Sequence, residues 1–471
     1  MVAIVNVNVS LLTAPAPNTL QQSGAIVSCG GTTLAVNTLR LVTQMSDIQP
    51  YLRVQAAIAS FSWSNGVMTV TTAAPHNIAV GQAIYLSLNG QTPALPAWVA
   101  VTITGATTFN YGSSVNPGTV TVPGFYNVLD ASELQAALTT FYAQGIAQSF
   151  YVLELGAVGD TSAISVLTTW LQNNPNQIYS FLMPRWWGAT STTQAAALVG
   201  LAKQYNTPTS KLYFWVTLST NTDMTMWNGI KSVITLVEPP GIGQNSGTVA
   251  GRLKEFSMAA PFYRSLAYRP SNTNRVAPFC FSYCYGVTPY PLPNNGTLLQ
   301  QYKNLGINVI ATGAEGGLTN SMIEWGTTMD LRDFTYWYSV DYTQIQAAQW
   351  LAWEVITGSN NSTNPLKYNQ FGINRLQARL AWMMQNEITF GLAEGTVRQV
   401  EMDGPAFGDA LETNQFSNMV VINAVPFVPY ATANPSDYKT GVYRGLTIVY
   451  IPSRGFTQIY LNIVASDFVI L

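Results

Sequence analysis

Two glutamates stand where an α/β enzyme would keep its working carboxylates. Glu154 and Glu238 each fall at the C-terminal end of an apolar run, Phe150-Tyr-Val-Leu-Glu-Leu and Val233-Ile-Thr-Leu-Val. Open parallel sheets bind their ligands outside the carboxyl ends of the strands. A carboxylate on each side of a glycosidic bond is the equipment of a glycoside hydrolase, and Trp186-Trp187, after Pro184-Arg185, offers rings for sugars to stack on. Strand-end glutamates equally cap helices or pair with a nearby arginine, so a carbohydrate-active hydrolase using Glu154 and Glu238 stands as an alternative. Other reactive groups are sparse. The single histidine, His76, lies in the turn sequence Ala74-Pro-His-Asn, and no Gly-x-Ser-x-Gly elbow occurs. Cys29, Cys280 and Cys284 are an odd trio, and Cys280-Phe-Ser-Tyr-Cys284 lacks the second ligand pair of a zinc site. Gly241-Ile-Gly-Gln-Asn-Ser-Gly247 lacks both the third glycine of a dinucleotide fingerprint and the Gly-Lys-Ser/Thr of a P-loop, so it reads as a loop. Glu324, Asp330 and Asp333 match no EF-hand spacing and read as solvated turn residues. The expectation is no catalytic set, no cofactor and no metal.

The elements that would hold these residues follow from periodicity. Residues 2–9 alternate, with Val5, Val7 and Val9 on one side and Asn6 and Asn8 on the other, and the Pro-containing stretch Thr13-Ala-Pro-Ala-Pro-Asn then sets this strand apart as an arm. Between residues 60 and 123, short β-rich runs such as Val67-Met-Thr-Val-Thr-Thr and Trp98-Val-Ala-Val-Thr-Ile-Thr alternate with Gly, Pro and Asn turns, and no charged residue occurs between Arg53 and Asp130. That texture predicts an inserted all-β domain, sandwich- or barrel-like. From residue 131 the period changes. Ser132-Glu-Leu-Gln135 reads as a capping box opening a helix, and four apolar strands, at 150–155, 178–183, 212–218 and 233–237, alternate with helices. This is a mostly parallel α/β sheet with too few units for an eightfold barrel. A βα-like segment at Tyr302–Ala311 and two long helical patterns follow, the second with Ile373, Leu376, Leu380, Met383 and Ile388 on one face. Val442–Ile451 and Phe456–Ala465 read as adjacent strands, the second presenting Ile459, Leu461 and Ile463 on one face, and Asp467-Phe-Val-Ile-Leu ends the sequence as a bare apolar strand.

Composition sets the class. At 471 residues the chain has room for roughly three domains. Its 20 Lys and Arg against 22 Asp and Glu leave a net charge of −2, with no electrostatic case for nucleic acid or an anionic membrane. Only 9% of residues are charged, against about 25% in ordinary soluble domains. So little surface charge suits a subunit covered by copies of itself, although charge-poor secreted enzymes also exist. The N-terminus has no signal-peptide pattern, and no stretch reaches the roughly 18 apolar residues of a membrane span. A protein made in a cytoplasm and folded without disulfides is expected.

Residues 302–341, with Tyr302-Lys-Asn-Leu-Gly-Ile-Asn-Val-Ile, a glycine-rich break, Ile323-Glu-Trp-Gly-Thr-Thr-Met-Asp, an aromatic run and a helical segment, resemble the body of contractile tail sheath proteins of myovirus-type bacteriophages. Tyr450-Ile-Pro-Ser-Arg-Gly-Phe-Thr-Gln-Ile-Tyr-Leu-Asn-Ile is similar to that family's closing strands. The resemblance rests on the order of these motifs, and another virion tail or baseplate structural protein stands as a second alternative, although a tube subunit would normally be far shorter. The resemblance covers mainly residues 130–471 and the N-terminal strand, matches residues 162–260 only in outline, and leaves the 60–123 region outside the common core. It implies a helical homo-oligomer of stacked rings around a tail tube protein, contacts with baseplate and tail terminator or collar proteins, and no direct nucleic-acid or membrane partner. It also implies a location in the phage tail of the virion after assembly in the host cytoplasm, and contraction that drives the tube through the host envelope for genome ejection. Terminal strands would pass between neighbours by β-augmentation: Val5, Val7 and Val9 in one arm, and Ile459, Leu461, Ile463, Phe468 and Ile470 in the other. The expected organisation is an arm at 1–20, the start of the core at 21–59, an outward-facing β insertion at 60–125, an α/β domain at 126–260, a C-terminal α+β domain at 261–455 and a second arm at 456–471.

Overall fold

In the computed structural model the described residues are 19–53, 55–76, 78, 83–87, 99–116, 118, 125–146, 148–156, 160–188, 193–219, 221–243, 254–292, 295–313 and 320–461. They divide into two compact units, one comprising residues up to Tyr268 with 282–323 and 327–332, the other 269–281, 324–326 and the chain from Asp333 onward.

The first unit begins with β1 (Gly24–Ser28) and β2 (Thr38–Val42). A run of antiparallel strands follows: β3 (Gln55–Ser64), β4 (Val67–Thr72), β5 (Ala83–Ser87), β6 (Val99–Ala100), β7 (Thr102–Gly105), β8 (Thr108–Gly112) and β9 (Phe125–Val128). These seven lie in the order β6-β5-β9-β3-β4-β8-β7. The two ends of that sheet, β6 and β7, are consecutive in the chain and separated by Val101 alone, so the sheet curls until its edges meet, a barrel-like closure. Ile58, Met68, Val70, Ile84, Leu86, Phe109 and Tyr126 fill its interior. His76 belongs to this module. Its Nδ1 accepts from the Ile78 amide at 2.9 Å, so Nε2 carries the proton and donates to the Gly105 carbonyl at 2.8 Å, with the ring edge-on to Phe109.

The remaining strands of the unit are β10 (Phe150–Glu154), β11 (Ser180–Leu182), β12 (Tyr213–Leu218) and β13 (Val233–Val237). With β1 and β2 they form a six-stranded sheet ordered β13-β12-β11-β1-β10-β2, parallel except for β2. Every residue of β1, β12 and β13 is buried, the signature of strands covered on both faces. The central strand β1 was not foreseen in the sequence. Helices Leu129–Ala143, Asp160–Asn173 and Thr193–Gln204 supply the cover. The first of these starts at Leu129, directly from β9, without a capping side chain. Ser132 therefore does not open the helix as the capping-box pattern suggests; it lies inside the first turn and donates to the Val128 carbonyl at 3.0 Å. The Tyr302–Ala311 segment also runs in the other order, helix Gly296–Leu305 first and then β14 (Ile310–Thr312), which pairs with β15 (Ser321–Ile323). Asn308 extends the large sheet beyond β13, its amide donating to Thr235 O and its carbonyl accepting from Val237 N.

The second unit is built on helices Phe334–Ser359 and Gln370–Thr389. Asp333 and Asn369 cap them through the amides of Thr335 and Gly372. Strands β16 (Ala393–Glu394), β17 (Thr396–Val400), β18 (Met419–Ala424), β19 (Leu446–Val449) and β20 (Ile451–Pro452) complete it, with helix Gly404–Glu412 between β17 and β18. A three-stranded sheet runs β17-β18-β19, β17 parallel and β19 antiparallel to β18, and β16 pairs with β20. One face of the sheet packs on Leu380, Met383, Met384 and Trp350, the other on Phe407 and Phe416. Gln377, buried in the second helix, fixes the register by donating to the carbonyls of Val400 and Ile422, each at 2.8 Å.

Candidate functional site

The two glutamates singled out from the sequence do not form a pair. Glu154 ends β10 and Glu238 follows β13, four strand positions away, or about 19 Å at the usual 4.7–4.9 Å per strand. The carboxyls of glycoside hydrolases stand about 5 to 9.5 Å apart. Each glutamate is also committed elsewhere. Glu154 is 1% exposed and takes hydrogen bonds from Ser28 Oγ (2.8 Å), Gly30 N (2.6 Å), Thr32 N (3.2 Å), Thr32 Oγ1 (2.6 Å) and Gly156 N (2.8 Å). It is the keystone of the loop leaving β1. Glu238 is fully buried and holds Arg185 Nε at 2.7 Å. Arg185 in turn donates its amide to Glu133 Oε1 at 2.7 Å, reaches the Glu255 carbonyl through Nη2, and stacks 4.5 Å over the Phe256 ring.

The glycine-rich loop serves the same lock. At Gly243 (φ 53°) a Cβ would lie 2.0 Å from Glu238 Oε2, so glycine is required there for close approach to the carboxylate. Residues 244–253 lie outside the described residues. Beside the strand ends, a cavity lined by Ser28, Cys29, Asp130, Glu133 and Met183 measures about 20 Å³, room for a single water and not for a sugar. Trp187 is completely buried, and the Trp186 side chain lies outside the described part. The hydrolase alternative is thus corrected: its two carboxylates are structural.

The remaining candidates are structural as well. All three cysteines are buried thiols; burial pushes Cys280 up to about 11 and Cys284 up to about 12, far from thiolate reactivity. Asp330 accepts from Thr328 Oγ1 and Arg332 N, and Asp333, expected as a solvated turn residue, instead caps a helix and accepts from Gly455 N at 2.9 Å. Among the described residues no group of three or more His, Cys, Asp or Glu could hold a metal ion.

What the second unit does offer is open β edge. β17 and β19 are the outer strands of the three-stranded sheet, each with one side of its backbone unpaired among the described residues. Beyond β20 the chain runs to Leu461 outside any strand, with Phe456, Ile459, Tyr460 and Leu461 77–83% exposed. Of the Phe456–Ala465 strand read from the sequence, residues 462–465 lie outside the described residues, and the described part, 456–461, is not in a strand beside the preceding one: β19 pairs with β18, and β20 with β16. The physical reason is that alternation supplies a strand's side chains but not the partner its backbone needs. Of the expected arm residues, Ile459 and Leu461 lie in this exposed segment; Val5, Val7, Val9, Ile463, Phe468 and Ile470 lie outside the described residues. The edges of β17 and β19 were missed in the sequence, although the alternation in Thr396-Val-Arg-Gln-Val signals the first.

No protein-family model matches the chain, and no curated protein matches it. Similar solved structures exist. A chain of the anti-feeding prophage baseplate is 9% identical, with 99% of each chain covered and a TM-score of 0.52. A chain of the anti-feeding prophage helical sheath in its contracted state is 10% identical over 99% of this chain and 100% of that one, with a TM-score of 0.49. The sheath tail protein of Listeria innocua is 8% identical over 81% of this chain and 87% of that one, with a TM-score of 0.39. Along 99% of its length, then, the chain shares the fold of that baseplate chain.

Proposed function

We propose that this chain is the structural subunit of a contractile tail sheath. Copies polymerise as stacked rings around a tail tube and hold one another by exchanging terminal β-strands. The observation that carries this reading is the coexistence, in one unit, of two strand edges unpaired among the described residues and an apolar segment with strand alternation whose Ile459, Tyr460 and Leu461 side chains are exposed. Unpaired edges and bare apolar strands are normally guarded against, and a chain that keeps both is equipped for β-augmentation. Lengths fit: Val5 to Val9 and Ile459 to Ile463 are five-residue stretches, as is β17. Low surface charge, with 9% Asp, Glu, Lys and Arg, suits a surface covered by neighbours.

In this reading residues 1–20 and 456–471 are the arms and the 60–125 insertion faces outward. The 21–59, 126–260 and 261–455 segments form the core, and contraction releases packing energy stored between subunits to drive the tube through the host envelope. Tube, baseplate and terminator or collar proteins are the partners, and the particle is a virion tail assembled in the host cytoplasm. Among the described residues no helix is long and apolar enough to cross a membrane.

Negative-stain microscopy of the purified chain tests the proposal. Hollow tubes from the intact protein, lost when residues 1–12 or 456–471 are removed, are the expected result. Tubes that survive both truncations would refute strand exchange. A chain that stays monomeric even with tube and baseplate present would sink the sheath reading altogether.

A further inference from the structure

One buried carboxyl in the second unit has no cation beside it among the described residues. Glu387, near the end of helix 370–389, is 1% exposed. Glu154 has five donors, Glu238 has Arg185, and Glu354 has Arg375 at 2.5 Å. Glu387 has one partner, Thr343 Oγ1 at 2.6 Å from Oε2, and its Oε1 has none. The Thr343 hydroxyl also lies 3.0 Å from the Ser339 carbonyl. A hydroxyl has a single proton to give. Thr343 donates to Glu387 Oε2, but the Ser339 carbonyl competes for the same proton, so the single hydrogen bond of the carboxyl is a shared one. An ionised carboxylate this deeply buried without a cation is also strongly disfavoured.

Among the described residues, the groups facing it supply no such cation. From helix 334–359 come the Tyr342 phenol, itself pushed up to about 12 by burial with the Glu387 charge adding to it, and Asp341, whose carboxyl acts on Tyr450. From the chain just before β20 comes Tyr450, raised by burial and then by the Glu387 and Asp341 carboxyls, against the opposing effect of the Thr343 hydroxyl. Glu394 on β16 is exposed. Burial pushes Glu387 itself up to about 8 from 4.5, against a smaller opposing effect of the Thr343 hydrogen bond.

Its position gives the proton a consequence. The Glu387 carbonyl accepts from Leu392 N at 2.9 Å, and the Leu392 carbonyl accepts from Ser453 N at 3.0 Å. Between these lie the β16–β20 pairs Ala393 with Pro452 and Glu394 with Ile451. Beyond Ser453 the chain is held by Arg454 over the Tyr336 ring at 5.5 Å, by Gly455 N on Asp333 and by the Cys280 thiol, 3.6 Å from the Phe456 carbonyl, before its side chains become exposed. We propose that Glu387 is a proton-held latch at the root of the C-terminal segment: protonated, it seats Tyr450 and the β16–β20 pairing, and release of its proton frees the segment from Tyr450 onward.

The sign follows from linkage. The seated state binds the proton more tightly than the open one, so seating is strongest below about pH 4.5 and weakens as pH rises toward about 8, beyond which it levels off. The test is hydrogen exchange of peptides covering residues 446–461 in the full-length chain, corrected for the intrinsic pH dependence of exchange. From pH 5 to 8 the opening equilibrium should rise about tenfold per pH unit in the wild type. In Glu387→Gln it should not vary with pH, and β1 peptides should stay flat in both proteins. A flat wild-type profile, or a variant that follows the wild type, would overturn the latch. If the variant fails to fold, infrared titration of the wild type decides the matter: a protonated carboxylic acid band present at pH 7 and lost above pH 8 supports the latch, and its absence at pH 7 refutes it. Neither outcome bears on polymerisation, because the experiment reads the unassembled chain.

Discussion

The large sheet of the first unit has its β13 edge covered by Asn308 and its strand ends locked, whereas the small sheet of the second unit leaves the outer sides of β17 and β19 unpaired among the described residues. β13 is flanked by Asn308, β2 carries the exposed Arg40, and the seven-stranded sheet closes on itself through β6 and β7. In the second unit β17 and β19 end their sheet, and Arg398 on β17 is drawn over the Phe416 ring at 5.7 Å. Both sheets are packed on both faces, so the contrast concerns backbone hydrogen bonds and not hydrophobic cover.

If the contrast holds, substitutions in the first unit act on stability, and those beside the open edges act on assembly. The largest effect is expected for Arg185→Met, which leaves Glu238 buried without its partner; a loss of about 3–5 kcal/mol is expected by urea unfolding. A loss below about 1 kcal/mol would mean that the lock is ornamental and would break the comparison. Gly188→Ala is next: a Cβ there would lie 1.8 Å from the Thr217 carbonyl oxygen on β12, and overpacking of this kind costs about 1–3 kcal/mol, measurable as a lowered thermal midpoint. Asp403→Ala removes the side chain that caps helix 404–412 through Ala406 N and should cost about 1 kcal/mol in the second unit, read by denaturant unfolding. Smallest for stability is the double change Ile459→Asp with Leu461→Asp. Both side chains are more than three-quarters exposed, so the isolated chain should change by no more than about 0.5 kcal/mol, while tube formation by electron microscopy should fail. Normal tubes from that variant would assign the segment to something other than connection.

Side-chain periodicity was legible in the sequence; partners were not. The apolar runs of β10, β12 and β13 and the face of helix 370–389 that buries Ile373, Leu380 and Met383 could be read directly, because burial on a regular element leaves a repeating signal. β1 escaped because five small or apolar residues between Ser23 and Cys29 are too short to display a period. Ser132 misled because a capping box is a local pattern, whereas here β9 passes into the helix with no intervening loop. Glu154 and Glu238 were rightly placed at strand ends, yet their roles depend on residues more than fifty positions away in sequence, such as Thr32 and Arg185, whose approach only the folded sheet order determines. The closing strand misled in another way: Ile459 and Leu461 alternate as a strand should, but no described segment of their own chain pairs with them.

The seven-stranded module has one further property. Its first and last strands, β3 and β9, are hydrogen-bonded neighbours, with Gln55 opposite Asn127 and Ala57 opposite Phe125, so the chain leaves and rejoins the larger unit through backbones about 5 Å apart. A closed sheet entered through so narrow a neck can be exchanged for another of unrelated sequence while the ends that receive it stay where they are. The host body and its passenger can therefore diversify at different rates, with the passenger under the looser constraint.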